Sequence, residues 1–313
     1  MAFSFYGNEQ AISVLSKTIS SGKLSHAYLF YGDEGVGKKT LARQFAQGIL
    51  CENKDKPCMI CQSCRKISSM NHPDYVEIGD DMSNGKQSFT VDQVRKLIED
   101  AYIRPNEGTH KIFLIKNIES LLASSANTLL KLLEEPPYNV VFLLTCENKQ
   151  GVLKTITSRC ILVGVYPVTC KDCMNALSEC IIQADKQELE IAVQLSEGNI
   201  GKAMFYTDDP VGKKVVEISS LIETAFFEKN ELSFMQSVAE LEKDVSLSLA
   251  VFKCFLSRLR ISLTNKANQS NLDIEFSKKI LKATECVEKT KDVLLKNGNK
   301  RLAIANFCSK MFS

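Results

Sequence analysis

A glycine-rich segment near the N-terminus has the residue types that bind phosphate. The predicted nucleotide-binding positions of this degenerate phosphate loop are Gly32, Gly35, Gly37, Lys38, Lys39 and Thr40. The glycines let the backbone turn tightly and point amide hydrogens at an anion near a helix start, and Lys38 adds a positive charge. An intact loop continues with Ser or Thr, whose hydroxyl ligates magnesium. Because Lys39 stands in that place and Thr40 comes one residue later, we expect a loop that has lost its metal ligand.

The acidic residues that such a fold uses for hydrolysis are missing as well. In ATPases of this kind a later buried strand ends in one carboxylate that holds magnesium and a second that polarises water. Here the apolar residues 112–115 are followed by Lys116 and Asn117, which supply neither carboxylate. Glu119 is the nearest acidic residue, and we expect its side chain to point the wrong way. The sequence therefore predicts an inactive hydrolytic centre, and it leaves open whether ATP or ADP still binds.

Four of the twelve cysteines crowd together with the spacing of a metal site. They are Cys51, Cys58, Cys61 and Cys64. Four thiolates complete a tetrahedral Zn²⁺ shell, so the predicted zinc is structural rather than catalytic. The alternative is a group of unrelated free cysteines. Cys170 and Cys173 have no second pair nearby, and we expect them to be buried small apolar side chains. The remaining cysteines are scattered, which excludes the pattern of a secreted disulfide scaffold.

Arg159 is a further candidate for chemistry, in the segment Ser158-Arg159-Cys160. An arginine in such a loop can cross a subunit boundary and stabilise charge on a neighbour's phosphate. Taken alone, an exposed loop arginine is more often simply solvated. The residues themselves therefore leave its role open.

The elements that position these residues alternate between short apolar strands and amphipathic helices in the first half of the chain. The predicted strands are residues 26–31, 75–78, 111–115, 140–145 and 160–165, and the helices between them are 8–19, 40–50, 91–102 and 121–135. This alternation predicts an α/β fold with a parallel sheet that is covered on both faces. Beyond residue 166 only helical patterns remain. They run through residues 170–206, 215–227, 232–243, 245–265, 274–295 and 301–312, with a candidate linker at 208–210.

Length and charge bound the function. A chain of 313 residues is long enough for about two or three domains. Its formal net charge of +2 does not mark a stand-alone nucleic-acid binder. The N-terminus lacks the pattern of a signal peptide, and no apolar run approaches the ~20 residues of a membrane span. We therefore expect a soluble, cytoplasmic protein with no membrane contact.

Several segments together resemble bacterial DNA polymerase III clamp-loader subunits of the AAA+ superfamily. They are residues 26–40, the four-cysteine insert, 91–95, 126–137 and 158–160, within a similarity that spans about 3–205; residues 299–310 resemble the family's last helix. The resemblance implies a RecA-like AAA+ domain over residues 1–165, with an insert at 51–64 whose four cysteines bind zinc. It further implies a small helical lid over 166–208 and an all-α collar for oligomerisation over 209–313.

The resemblance also implies a role. The family's motor subunits keep a Lys-Thr loop and an Asp-Glu strand end, so this chain is similar to the non-hydrolysing member. It implies that Arg159 acts in trans at the ATP site of the adjacent subunit. The implied partners are the motor (gamma/tau) and delta subunits, the sliding clamp and, through the complex, primer-template DNA in replication by the DNA polymerase holoenzyme. The alternatives are an ATP-hydrolysing motor that uses Thr40 and Glu119, and a zinc-dependent nucleic-acid module, which the near-neutral charge disfavours.

Overall fold

A five-stranded parallel sheet forms the centre of the first half of the chain. The computed structural model describes residues 3–79, 91–121, 123–181, 185–268, 273–296 and 298–312. The strands are Ala27–Tyr31 (β1), Tyr75–Ile78 (β2), Lys111–Ile115 (β3), Val140–Cys146 (β4) and Ile161–Gly164 (β5). Their order in the sheet is β2-β3-β4-β1-β5, and every pairing is parallel. The predicted α/β class is confirmed, because each apolar run forms a strand within about one residue of its expected bounds.

Six helices of the described residues accompany this sheet. They are Glu9–Ser21 (α1), Lys38–Leu50 (α2), Gln62–Ser68 (α3), Val91–Ala101 (α4), Ala123–Glu134 (α5) and Lys154–Thr157 (α6). The helix α5 ends before Pro136 and Pro137, which cannot continue a helix. The short helices α3 and α6 were not predicted, since they span too few residues to show a helical period.

Both faces of the sheet are buried, as a parallel sheet requires. Alternate residues of the strands enter two separate apolar clusters. One cluster contains Leu29, Phe113 and Phe142, and the other contains Tyr28 and Phe30. Full burial of such a side chain contributes about 1.5–3 kcal/mol to folding. The sheet is therefore a rigid frame, and the loops at the carboxyl ends of its strands are where an open α/β sheet places its ligands.

The second half of the chain forms helices and the short turns between them, with no strand among its described residues. Its helices are Cys170–Cys180 (α7), Lys186–Ser196 (α8), Ile200–Asp208 (α9), Pro210–Glu228 (α10), Glu231–Ala239 (α11), Val245–Asn268 (α12), Ile274–Leu295 (α13) and Lys300–Phe312 (α14). Phe252 packs on Phe307 with ring centroids 5.0 Å apart, and Phe234 packs on Phe307 at 5.6 Å. Buried aromatic pairs of this kind join α11, α12 and α14 into one core.

The chain divides into two compact units, Met1–Val168 and Thr169–Ser313. The predicted collar and all but the first three residues of the predicted lid (166–168) fall in the second unit, and the boundary between lid and collar stays a prediction. Asp209 alone separates α9 from α10, and its Oδ1 accepts hydrogen bonds from Val211 N at 2.7 Å and Gly212 N at 3.2 Å. The predicted linker is thus a capped helix junction. Of the helices in the described ranges, none is at once long and apolar enough to cross a bilayer.

Candidate functional site

The predicted phosphate loop joins the end of β1 to the start of α2. Gly32, Gly35 and Gly37 have φ angles of 147°, 86° and 92°. Residues that carry a Cβ atom rarely adopt such backbone angles. A Cβ on Gly32 would collide with the carbonyl oxygen of Val165, and one on Gly37 would lie 2.9 Å from the Phe5 ring. These glycines are therefore required by backbone conformation and packing, before any ligand is considered.

Lys38 holds a buried positive charge against this loop. Its Nζ donates to the carbonyl oxygens of Gly32, at 2.5 Å, and Asp33, at 2.8 Å. Burial lowers the pKa of Lys38, and the nearby carboxylates of Glu147 and Glu119 oppose that shift. A strand, a glycine turn, a lysine and a helix start are thus assembled as phosphate binding requires.

The residue after Lys38 is not the Ser or Thr that ligates magnesium in an intact phosphate loop. Lys39 and Thr40 both lie in the first turn of α2, and both are exposed. An ammonium group donates hydrogen bonds and cannot ligate a cation. The loop therefore offers an anion its backbone amides and positive charge, but it presents no hydroxyl at the position of the magnesium ligand.

Lys116, at the end of β3, pairs with a buried carboxylate of the adjacent strand. Its Nζ lies 3.0 Å from Glu77 Oε2, and the Glu77 side chain is 4% exposed. Oε1 of Glu77 accepts from Tyr75 at 2.6 Å and from Arg43 at 2.7 and 2.9 Å. Burial alone would raise the pKa of Glu77, but its contacts with Tyr75, Arg43 and Lys116 hold it below the usual value. This network fixes Lys116 at the end of β3, where the sequence pattern of an ATPase predicts a magnesium-binding carboxylate.

Asn117 and Glu119 follow Lys116 at the same edge of the sheet. The backbone N–H of Asn117 donates to Thr145 Oγ1 at 3.1 Å. Glu119 Oε1 accepts from the backbone N–H of Glu147 at 2.6 Å, and its Oε2 is buried without a hydrogen bond among the described residues. The Glu119 charge also opposes the pKa shift of Lys38. Its carboxylate therefore lies within electrostatic reach of Lys38. The position of Glu119 after the strand did not predict this.

The four clustered cysteines converge on one point. Cys51 follows α2, Cys61 precedes α3 and Cys64 lies in the first turn of α3. The Sγ atoms of Cys51, Cys58, Cys61 and Cys64 all lie within 4.8 Å of one another, with 3.9 Å between Cys51 and Cys61 and 4.0 Å between Cys58 and Cys64. A tetrahedral zinc with bonds of about 2.3 Å separates its sulfurs by about 3.8 Å. The cluster therefore fits a tetrahedral metal ion.

The thiols of this cluster differ in acidity. Desolvation opposes ionisation of Cys58, but the backbone N–H groups of Ile60 and Cys61 outweigh it and lower the Cys58 pKa to about 6. Burial raises the pKa of the Cys51 and Cys64 thiols. A bound cation reverses such a shift, because coordination removes the thiol proton. The buried sulfurs are thus suited to a metal rather than to free thiolate chemistry.

Helix α2 supports the cysteine cluster from outside. Gln47 donates from its Nε2 to the carbonyl oxygen of Cys64 at 2.9 Å and to Ser68 Oγ at 2.8 Å. Contacts of this kind orient metal ligands. The prediction that Cys170 and Cys173 are both buried is wrong for Cys170, which is exposed at the first residue of α7, and it is confirmed for Cys173. The clustered set at 51–64 is the metal-ligand group found within the described part of the chain.

Arg159 lies between α6 and β5 with 35% of its side chain exposed. Its Nη2 donates to Glu134 Oε1 at 2.8 Å, and its Nη1 donates to the carbonyl oxygen of Thr155 at 2.8 Å. A weaker contact joins Nη1 to Ser158 Oγ at 3.4 Å. The hydrogen bonds of Arg159 among the described residues are therefore with α6, with its own loop and with α5, and none joins it to the phosphate loop.

Sequence reasoning missed the partners of the candidate residues, namely Glu77, Arg43 and Glu134. One signal was present for Glu77. It lies two residues after Tyr75 in a four-residue strand, so both side chains share a face, and a charge on a buried strand face indicates a partner. Glu134 gives no such signal, because Arg159 is 25 residues away along the chain.

The chain is similar in sequence to known subunits of DNA polymerase III. Residues 7–169, more than half of the chain, match the protein family described as DNA polymerase III, delta subunit. The chain is 31% identical over 244 residues to DNA polymerase III subunit tau of Escherichia coli (strain K12), which covers 75% of this chain and 37% of that protein. It is 32% identical over 188 residues to DNA polymerase III subunit delta' of Yersinia pestis. That alignment covers 57% of this chain and 54% of that protein.

The solved structures support the fold. A DNA polymerase III gamma-subunit-related protein from Thermotoga maritima superimposes with a TM-score of 0.56 at 15% identity, and the match covers 97% of this chain and 98% of that one. The aligned part of the chain spans about two fifths of the length of the first tau relatives. Since the family match includes the sheet, the loop and the cysteine cluster, the chain belongs to the bacterial DNA polymerase III clamp-loader subunits of the AAA+ superfamily.

Proposed function

We propose that this chain is a delta-prime-type subunit of a DNA polymerase III clamp loader, a stator that hydrolyses no ATP itself. One observation carries the proposal: lysines stand at both positions where an ATPase of this fold holds magnesium. Lys39 replaces the hydroxyl of the loop, and Lys116 replaces the carboxylate at the end of β3 while it pairs with Glu77 at 3.0 Å. Phosphoryl transfer in such folds depends on the metal for charge neutralisation. Two cations in its place oppose metal binding.

Arg159 is the residue that we propose to act in catalysis, on the neighbouring subunit. Leu153, Ile161 and Leu162 flank it in sequence and are 47%, 39% and 45% exposed. β5 pairs only with β1 among the described strands, so it is an edge strand of the sheet. An exposed apolar surface that includes an arginine is typical of a protein interface. We propose that the motor (gamma/tau) subunit docks here and receives Arg159 as an arginine finger.

The other partners follow from the same assignment. We propose contacts with the delta subunit and the sliding clamp in the bacterial cytoplasm, during DNA replication. Primer-template DNA would be reached through the complex, because a net charge of +2 gives this chain little long-range attraction for nucleic acid. The proposed division of labour is an AAA+ domain over residues 1–165, a lid over 166–208 and a collar over 209–313 that holds the subunits together.

The proposed ligands have structural rather than chemical roles. Zn²⁺ at Cys51, Cys58, Cys61 and Cys64 would have four protein ligands, which leaves no position for a reacting water. ATP or ADP, if it binds, would be held by loop amides between Gly32 and Gly37 and by Lys38. Bound nucleotide would supply negative charge to this site and no hydrolytic step.

A second candidate function is that of an ATP-hydrolysing motor, and Glu119 is the observation that favours it. Its Oε2 is buried without a hydrogen bond in the described residues, and its charge acts on Lys38. A carboxylate so placed could accept a proton from water. Against this, its Oε1 is occupied by the backbone N–H of Glu147, and no hydroxyl or carboxylate replaces the lost metal ligands.

ATP turnover by the purified chain separates the two candidates. We expect no magnesium-dependent hydrolysis above that of the Lys38→Ala variant. A motor would instead show steady turnover that both Lys38→Ala and Glu119→Gln abolish. Activity that persists in both variants would come from a contaminant, because a contaminating ATPase does not respond to substitutions in this chain.

A further inference from the structure

Arg159 is held by two acceptors that belong to different helices. Its Nη2 is 2.8 Å from Glu134 Oε1, at the last residue of α5, and its Nη1 is 2.8 Å from the carbonyl oxygen of Thr155, in α6. An arginine side chain is long and loses much rotamer freedom when it is fixed. Hydrogen bonds from Nη1 and Nη2 to two separate acceptors restrict the Arg159 rotamers before any phosphate binds.

Both acceptors are attached to one apolar core. Leu133 precedes Glu134, Ile156 follows Thr155, and each of these two apolar side chains is 1% exposed within the same cluster under the sheet. The position of the carboxylate is therefore set by packed residues, although the carboxylate itself is 43% exposed. A supporting residue needs such an anchored position if it is to orient another side chain.

The guanidinium keeps donors for a second anion. Five N–H groups are present on an arginine, and the contacts with Glu134, Thr155 and Ser158 use at most three of them. Nε and one hydrogen of Nη2 have no partner among the described residues. The pair with Glu134 therefore orients Arg159 without exhausting its capacity to bind phosphate oxygens.

We propose that Glu134 is a positioning residue for Arg159. Its carboxylate holds the guanidinium at the surface, in a conformation that can bind the terminal phosphate of ATP in the neighbouring subunit. This inference rests on the proposed role of Arg159 in trans. The opposite possibility, that Glu134 shields the guanidinium and competes with phosphate, predicts the reverse change in rate.

The test uses a reconstituted loader in which only the motor site served by Arg159 can hydrolyse ATP, the other motor sites carrying inactivating substitutions. Glu134→Ala should lower kcat at that site about 1.5-fold to fivefold, the range expected for an exposed ion pair. KM for ATP should stay unchanged, and the affinity for ADP with aluminium fluoride should fall with kcat. Glu134→Gln keeps one acceptor oxygen and should lie between Glu134→Ala and the wild type. The matched control is Glu135→Ala, which removes the adjacent exposed carboxylate.

A double variant shows whether Glu134 acts through Arg159. In an Arg159→Ala background, Glu134→Ala should have no further effect, because coupled residues are not additive. Size-exclusion chromatography must show an intact loader for each variant. If Glu134→Ala leaves kcat unchanged or raises it while Arg159→Ala lowers it, the positioning role is wrong and the finger stands. If Arg159→Ala itself changes nothing, the proposed finger fails, and the inference about Glu134 falls with it.

Discussion

Lys116 is paired with a buried carboxylate of the adjacent strand. Its Nζ lies 3.0 Å from Oε2 of Glu77, whose side chain is 4% exposed. An aspartate at position 116 has a shorter side chain of opposite charge, so Lys116→Asp would leave Glu77 with only Tyr75 and Arg43 as partners among the described residues. Removing one partner of a buried ion pair is destabilising. We therefore expect Lys116→Asp to weaken the fold rather than simply to supply a metal ligand.

Replacing Lys116 by alanine should destabilise the fold. Glu77 would keep Tyr75 and Arg43 as partners and lose one charge, so we expect the free energy of unfolding to fall by about 1–3 kcal/mol. Urea denaturation measures this change. Lys131→Ala, at an exposed position of α5, is the control and should change stability by less than about 0.5 kcal/mol. Equal stability of the two variants would show that the Lys116–Glu77 pair contributes nothing.

The depressed pKa of Glu77 predicts a pH dependence with a definite sign. A carboxylate with a lowered pKa stabilises the folded state above its unfolded-state pKa of about 4.3. That stabilisation is lost as pH falls through the lower folded-state pKa. Wild type should therefore be more stable than Glu77→Gln at pH 7, and the difference should shrink below about pH 4. Denaturation curves of both proteins between pH 7 and pH 3 test this, and a constant difference would contradict it.

Sites built from residues close together in the sequence were predictable. Contacts between residues that are far apart in the sequence were not. The four cysteines span fourteen residues, so their spacing alone indicated one site, and their sulfurs converge as expected. The two lysines were visible as departures from a short motif. Glu77 is 34 residues from Arg43, and only the pairing of β2 with β3 brings it beside Lys116.

At the scale of elements, long apolar or periodic runs were predicted and short capped pieces were not. The strand at residues 75–78 and the helix at 274–295 have the predicted bounds. The helix α3 is seven residues long and begins where Cys61 Sγ accepts from the backbone N–H of Cys64. Its start is set by the cysteine cluster rather than by a hydrophobic period. The predicted metal therefore bears on the structure of α3.

Removing the predicted zinc ligands should loosen the insert and leave the sheet intact. Cys61→Ser combined with Cys64→Ser should abolish about one bound zinc per chain, because two of four thiolates are lost. Hydrogen exchange should then rise in residues 51–68 and at the end of α2, where Gln47 bonds to Cys64. Strands β1 and β4 should keep their protection.

The control for the zinc experiment replaces two exposed cysteines of α7, Cys170 and Cys180, by serine. Metal content and hydrogen exchange of this double variant should match those of the wild type. Metal analysis that finds no zinc in the wild type would contradict the prediction. So would full zinc content in the variant that lacks Cys61 and Cys64.

The whole molecule has the sheet, the glycine loop and the loop lysine of a nucleotide-binding fold. Lys39 and Lys116 stand where the sequence predicts magnesium ligands, and we propose the loss of hydrolysis from them. Arg159 lies on the surface beside the edge strand β5. The order of apolar strands and periodic helices predicted the α/β and helical halves, whereas the role of Arg159 in another subunit was implied only by the family resemblance. Such a role is tested only in the assembled loader.

We propose that this chain hydrolyses no ATP and completes the active site of its neighbour. ATP turnover tests this proposal, measured for the chain alone and for a loader assembled with the cognate motor, in which only the site served by Arg159 is active. We predict no turnover by the chain alone and a loss of about a thousandfold or more at that site in Arg159→Ala. The loader with Arg104→Ala, which removes another exposed arginine of the first unit, should match the wild type. Steady turnover by the chain alone that Lys38→Ala abolishes would contradict the claim, and so would an intact Arg159→Ala loader with unchanged turnover.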